Sequence, residues 1–196
     1  MANSFFMDYI NSTISDSIEV RKGLLADSEL LDRIGQVAQI CITAFKSGNK
    51  VLFCGNGGSA ADAQHISAEL TGRFTKDRPA LYAEALHVNT SALTAIANDY
   101  GYERVFARQV EAMGRKGDVL IGLTTSGKSP NVIRAMEVAQ QREMITIGMT
   151  GATVGQLQDC STIILSMPSS DTARIQEMHL LIGHIWCGLI EQEMFA

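Results

Sequence analysis

The chain has 196 residues, enough for one domain and short for two; 46% are hydrophobic and 19% charged, a balance that supports a buried core and excludes disorder. Sixteen basic residues against 21 acidic ones leave a formal net charge of −5 with no basic run, which excludes a general nucleic-acid or membrane-surface binder. One domain is expected over residues 1–196, with 1–48 a helical leader and 49–196 a sheet core closed by a C-terminal helix. Residues 1–13 place no cationic segment before their apolar residues and include Asp8, so no secretory signal is expected. The longest strongly apolar stretch, 178–190, holds two histidines and is too short to span a bilayer. Cys41, Cys54, Cys160 and Cys187 form no C-x-x-C pair and are expected to be reduced thiols of a cytoplasmic protein.

In chain order, helical spacing runs through Ile10, Ile14, Ile18, Leu24 and Leu25, and again through Leu30, Ile34, Val37, Ile40, Cys41 and Phe45. These predict helices over 3–25 and 29–47, stopped by Gly48-Asn49. A continuous apolar run at 51–54 then meets Gly55-Asn56-Gly57-Gly58-Ser59 and a helical stretch at 60–73. The same strand, polar turn and helix return at 119–123, 124–129 and 131–142, and more weakly at 145–151. A last strand at 162–165 precedes a long helix over 172–194. Strands without alternation, separated by helices, predict an α/β fold: a doubly wound, three-layer parallel sheet with right-handed crossovers. The two leading helices are extra to that scheme, available for subunit contacts or for plain packing.

Ligands of such sheets bind beyond the carboxyl ends of the strands, where both polar turns fall. The first offers backbone N–H groups at a helix start to an anion or a sugar hydroxyl. Its glycines at 55, 57 and 58 do not match G-x-G-x-x-G and no Walker lysine follows, so a nucleotide is disfavoured; tight packing is the plain alternative. The second turn sets Thr124, Thr125, Ser126 and Ser129 within six residues at a helix N-terminus. Simple capping needs one hydroxyl, whereas several together with free amides suit a phosphate.

His65 and Glu69 lie four apart on the helix after the first turn and share a face. On the last helix stand Gln176, His179 and His184; Gln176 and His184 are offset by about 80° around the axis. Two imidazoles, a carboxylate and an amide oxygen suit tetrahedral zinc, although i,i+4 pairs on solvated faces and hydrogen-bonded core histidines are ordinary too. Asn98-Asp99, after the apolar 93–97, is expected to form a polar turn.

Together these pieces resemble the sugar isomerase (SIS) domain family, and within it the branch acting on seven-carbon sugar phosphates. The matching residues are Cys54-Gly55-Asn56-Gly57-Gly58-Ser59, His65, Glu69-Leu70-Thr71-Gly72-Arg73, Ala97-Asn98-Asp99, Gly117-Asp118-Val119-Leu120, Thr125-Ser126-Gly127, Arg174-Ile175-Gln176-Glu177 and His184. They cover essentially the whole chain. It departs from the family at Thr124, where serine is common, and at Ala173, where some relatives carry aspartate.

The resemblance implies a flavodoxin-like SIS fold, a homotetramer with active sites at subunit interfaces, and one zinc per subunit held by His65, Glu69, Gln176 and His184. It assigns substrate contacts to Asn56, Gly57, Gly58, Ser59, Glu69, Asn98, Asp99, Gln176 and the hydroxyl turn at Thr124, Thr125, Ser126 and Ser129. The implied reaction converts sedoheptulose 7-phosphate to D-glycero-D-manno-heptose 7-phosphate through an enediol, with Glu69 as base and His184 as acid, for ADP-heptose and lipopolysaccharide core synthesis. Three alternatives stand beside it: a DnaA-binding regulator of replication initiation from the same family, a non-catalytic sugar-phosphate sensor, and an isomerase of another phosphosugar. The regulator lacks equivalents of Glu69 and His184, both of which this chain has.

Overall fold

A computed structural model describes residues 4–196. Residue 3, where the first helix is expected to begin, lies outside the described residues, as does the start of the 1–13 segment. Two helices open the chain, α1 (Ser4–Ala26) and α2 (Ser28–Lys46), separated by Asp27. Its carboxylate accepts the Leu30 N–H at 3.0 Å and caps α2. Then come β1 (Val51–Cys54), α3 (Gly58–Thr71), β2 (Ala83–Ala85), α4 (Thr90–Tyr100), α5 (Ala107–Met113), β3 (Val119–Leu123), α6 (Pro130–Gln141), β4 (Ile145–Thr150), β5 (Ile163–Ser166) and α7 (Thr172–Met194).

All five strands are parallel, in the order β2-β1-β3-β4-β5. Every residue of β1 and β3 is buried, which is why those strands read as continuous apolar runs. Successive side chains feed opposite layers: Val51 and Phe53 join the core under α2, α3 and α7, and Leu52 and Cys54 the core under α5 and α6. This is the expected three-layer α/β architecture.

Three elements were not anticipated. β2 has only three residues with Glu84 at its centre, α4 has no fully buried residue, and α5 is seven residues long. The turn expected at Asn98-Asp99 is instead the last turn of α4; the chain reverses at Gly101, whose φ of +88° favours glycine. Nor are the leading helices equivalent. α2 buries Leu30, Ile34, Val37, Ala38, Cys41 and Ile42 and completes a layer on the sheet, so it is part of the fold. α1 has Leu24 as its one fully buried residue and is the true addition.

His179 on α7 is wholly buried. Burial pushes its pKa down to about 4, against a small upward pull from the Thr150 carbonyl 3.4 Å from Nε2. An unfolded chain takes up a proton at this residue near pH 6.5; the folded chain does not until about pH 4. The unfolded state therefore binds more protons in that window, and stability falls as pH drops through it, by about 3 kcal/mol from this group. Urea midpoints at pH 7 and pH 4.5 should differ less in His179→Gln than in the parent chain. An equal difference in both would remove His179 as the cause.

No helix among the described residues is long and apolar enough to cross a membrane.

Candidate active site

From β1 the chain crosses to β2 on one side, and from β3 it crosses to β4 on the other, so a crevice opens between the carboxyl ends of β1 and β3. The loops beyond those two strands, 55–57 and 124–129, flank it. They are tied together by a reciprocal amide pair. The Asn131 Nδ2 donates to Asn56 Oδ1 at 2.8 Å, and the Asn56 Nδ2 donates to Asn131 Oδ1 at 2.9 Å. The Tyr102 hydroxyl adds a bond to Asn56 Oδ1 at 3.3 Å. Asn131 is buried and also accepts the Val132 N–H at 3.0 Å, so its amide is fixed from both ends. Neither Asn131 nor Tyr102 was singled out by sequence; the signal available for Asn131 was its place one residue inside a Pro-initiated helix.

Three of the four hydroxyls of the second turn, those of Thr124, Ser126 and Ser129, converge. Thr124 Oγ1 lies 2.9 Å from Ser129 Oγ and 3.4 Å from Ser126 Oγ, and Ser126 Oγ accepts the Lys128 N–H at 3.2 Å. Thr124 is buried at the base, Ser126 exposed at the mouth and Thr125 half-buried. Gly127 makes this turn possible. It has φ +67°, and a Cβ there would sit 2.2 Å from the Val154 carbonyl oxygen.

α3 and α7 lie side by side: a Cβ on Gly58 would meet the Gln176 amide at 2.5 Å, and one on Gly183 would meet Ile66 Cδ1 at 2.4 Å. Glycine at 58 thus lets the Gln176 side chain rest on the start of α3, beside the first loop. Further along the same pair of helices, His65, Glu69 and His184 come together. The Nε2 atoms of His65 and His184 are 3.0 Å apart, and His65 Nε2 is 3.3 Å from Glu69 Oε1. The ligand atoms of all three lie within 4.8 Å of one another, the one such His/Cys/Asp/Glu group among the described residues.

This donor set fits a divalent metal. Two imidazole nitrogens pointing at each other have at most one useful proton between them, and zinc–ligand bonds of about 2.0–2.1 Å at tetrahedral angles separate ligand atoms by about 3.3 Å. Three of the four expected ligands are therefore assembled. The fourth, Gln176, is seated on Gly58 and has no hydrogen bond to the triad. The side chains of His65 and Glu69 are 46% and 26% exposed, so the cluster is open on one side.

Two neighbours shape it. The Phe74 ring stacks on His184 at 5.5 Å with an interplanar angle of 21°; its position in the irregular segment after α3 carried no sequence signal. Asp62, one turn before His65, has a buried Oδ2 without a partner among the described residues. Burial raises its carboxyl to about 6, partly offset by His65. Asn98 and Asp99 are exposed on α4 and bond to each other at 2.8 Å; the chain reaches the crevice three residues later, at Tyr102. Ser59 is buried within the first turn of α3. His179, remote in environment from the triad, is a core histidine.

A hydroxyl cradle, two loops of backbone donors and a carboxylate beside two imidazoles can together bind a phosphorylated polyol and move protons on it. Comparison with known proteins agrees. The sequence profile of the SIS domain matches residues 19–151. Phosphoheptose isomerase of Burkholderia pseudomallei (strain 1710b) is 51% identical over 190 residues, 97% of this chain and 96% of that protein. Among solved structures, phosphoheptose isomerase GmhA from Neisseria gonorrhoeae superposes with a TM-score of 0.89 at 41% identity, over 95% of this chain and 99% of that one. A phosphoheptose isomerase from Francisella tularensis superposes with a TM-score of 0.91 at 40% identity, over 95% and 98% respectively.

Proposed function

The chain belongs to the SIS domain family and, within it, to the phosphoheptose isomerases, and from that premise we propose a site-by-site account of how it interconverts sedoheptulose 7-phosphate and D-glycero-D-manno-heptose 7-phosphate, for ADP-heptose and lipopolysaccharide core synthesis. The observation that carries this account is the meeting of His65, Glu69 and His184 on two helices that lead back to the phosphate-type loops. His65 lies seven residues along α3 from Gly58, about 10 Å of helix rise, which suits a substrate whose reacting end is several carbons from its phosphate.

In this account Thr124, Thr125, Ser126 and Ser129, with the free amides at the start of α6, hold the 7-phosphate. Asn56, Gly57, Gly58, Ser59 and Gln176 line the path of the sugar, and Asn98 and Asp99 contact it from the end of α4. The Glu69 carboxylate takes the C1 proton of the ketose while His184 delivers a proton to the C2 carbonyl oxygen, giving the enediol. Glu69 then returns its proton to C2, and the O1 hydroxyl returns one to His184, so both groups end as they began. His65, Glu69, Gln176 and His184 would hold zinc, which would supply positive charge near the sugar oxygens; an atom engaged by the metal has no proton to exchange, so Glu69 and His184 act as base and acid through atoms free of it.

The account also includes a homotetramer with sites at subunit interfaces, supported by the inverted face of α1. Its polar side turns inward: the Ser17 hydroxyl donates to Glu177 at 2.6 Å, and Arg174 donates to the Thr13 carbonyl at 2.9 Å. Its apolar side, Phe6, Ile10, Ile14 and Ile18, is turned out, each residue between 46% and 58% exposed. Four buried free cysteines and a net charge of −5 support a cytoplasmic protein, of single-domain build over 1–196, without nucleic-acid or membrane partners.

Metal analysis of the purified chain tests the centre of this account. One zinc per chain is expected in the parent, and a small fraction of that in His65→Ala. Failure of the parent to hold zinc after titration and dialysis would remove the metal from the account.

A further inference from the structure

Glu191, on the last turn of α7, is 1% exposed yet carries a carboxylate. It lies seven residues beyond His184, two turns along the same face. Glu191 accepts five hydrogen bonds: from the N–H groups of Phe74, Thr75 and Lys76 at 2.9 Å each, from the Thr75 hydroxyl at 2.8 Å and from Arg78 Nε at 3.1 Å. Burial alone would push this carboxyl up, but the bonds from Thr75, Phe74 and Lys76 outweigh it and hold the group at about 2, so it is ionised throughout the working range.

The Arg78 side chain, equally buried, directs most of the rest of its guanidinium at the end of α3, with one further bond from Nη1 to the Pro79 carbonyl at 3.1 Å. Nη2 donates to the Glu69 carbonyl at 2.8 Å and Nη1 to the Leu70 carbonyl at 2.7 Å. These are carbonyls that the end of a helix leaves without intrahelical partners. The segment between α3 and β2 has no regular structure of its own, and Glu191 organises its first half. Two arms thus leave one buried charge. One ends at the backbone of the residue assigned as base. The other, through the backbone of 74–76, ends at the Phe74 ring stacked on the imidazole assigned as acid.

We propose that Glu191 is a positioning residue of the isomerase, which through Arg78 fixes the turn of α3 carrying Glu69 and through residues 74–76 sets Phe74 flat against His184. The kinetic half of this rests on the functional reading above; the structural half does not. A carboxylate is needed because all its partners are donors: an amide turns one acceptor into a donor facing N–H groups, and the buried guanidinium loses its counter-charge. Phe74, by covering one face of the imidazole, restricts its rotation and keeps Nε2 directed at His65.

The test uses the full chain as purified, with histidine rings isotope-labelled for NMR; four histidines make the ring signals resolvable. In Phe74→Leu and in Glu191→Gln, the His184 ring protons should lose the shielding of the aromatic face and move downfield together. With sedoheptulose 7-phosphate, Glu191→Gln should lose between about 10- and 100-fold in kcat at nearly constant KM, because the phosphate cradle is untouched. Arg78→Lys keeps a cation for Glu191 but loses the fork to Glu69 and Leu70; it should lower kcat with the His184 signals in place. Should Glu191→Gln fail to fold, Arg78→Lys and Phe74→Leu test the two arms separately. His184 signals that move in Phe74→Leu but not in Glu191→Gln, or a loss that falls on KM instead of kcat, overturn the proposal. Absence of turnover by the parent chain would overturn the functional reading instead and leave the NMR result to judge the clamp.

Discussion

Glu69→Gln turns over sedoheptulose 7-phosphate about 10²–10⁴-fold more slowly than the parent chain, the usual weight of a positioned general base, while binding it nearly as well. The amide has the shape of the carboxylate and can keep its place beside His65, where the two side chains now stand 3.3 Å apart. It cannot accept a proton from carbon. In the proposed account the loops at 55–57 and 124–129 hold the phosphate and the polyol at the other end of α3, and those contacts dominate binding. The loss therefore falls on kcat, and calorimetry on the variant should return a dissociation constant close to that of the parent. A variant that keeps most of its turnover would show that another group takes the C1 proton.

Ser126→Ala gives the opposite signature. Its hydroxyl is at the exposed mouth of the cradle, 3.4 Å from Thr124 Oγ1, and its bond from the Lys128 N–H at 3.2 Å is exposed and replaceable by water, so the turn should survive its loss. A hydrogen bond to a charged group contributes about 1.5–3 kcal/mol, which corresponds to roughly 10- to 150-fold in kcat/KM, carried by KM. The same substitution should leave activity toward unphosphorylated sedoheptulose unchanged, however low that activity is. An equal loss with both sugars would mean that Ser126 does not meet the phosphate.

These signatures separate cleanly because the two ends of the site were built by different sequence signals, and the signals differed in legibility. The sheet was readable wherever a strand is buried on both faces, as at Val51–Cys54 and Val119–Leu123. It was unreadable at Ala83–Ala85, where three residues with a central glutamate have no pattern to show. Asn98-Asp99 was mistaken for a turn because both residues lie on the exposed face of α4's last turn, and the short stripe of Leu93, Ile96 and Ala97 on the other face is only partly buried. The cradle was legible because four hydroxyls crowd one strand-to-helix turn. The His65–Glu69 pair was legible from i,i+4 spacing, but its meeting with His184 depends on α3 and α7 lying together, which only tertiary packing decides. For Gln176, spacing showed an offset of about 80° from His184 but not what about 12 Å of helix rise between them implies, and the amide rests on Gly58 instead. Phe74, Arg78 and Glu191 were invisible to sequence because their link spans more than a hundred residues of chain.

The central claim is that in this crevice a base in exchange with solvent carries a proton from C1 to C2 of a phosphosugar through an enediol. The most direct test is conversion of sedoheptulose 7-phosphate by the parent chain in D2O, with the product examined by NMR. The aldose heptose 7-phosphate should appear carrying deuterium at C2, delivered by a base that exchanges with solvent. No product, or product bearing only the hydrogen that left C1, would contradict the claim.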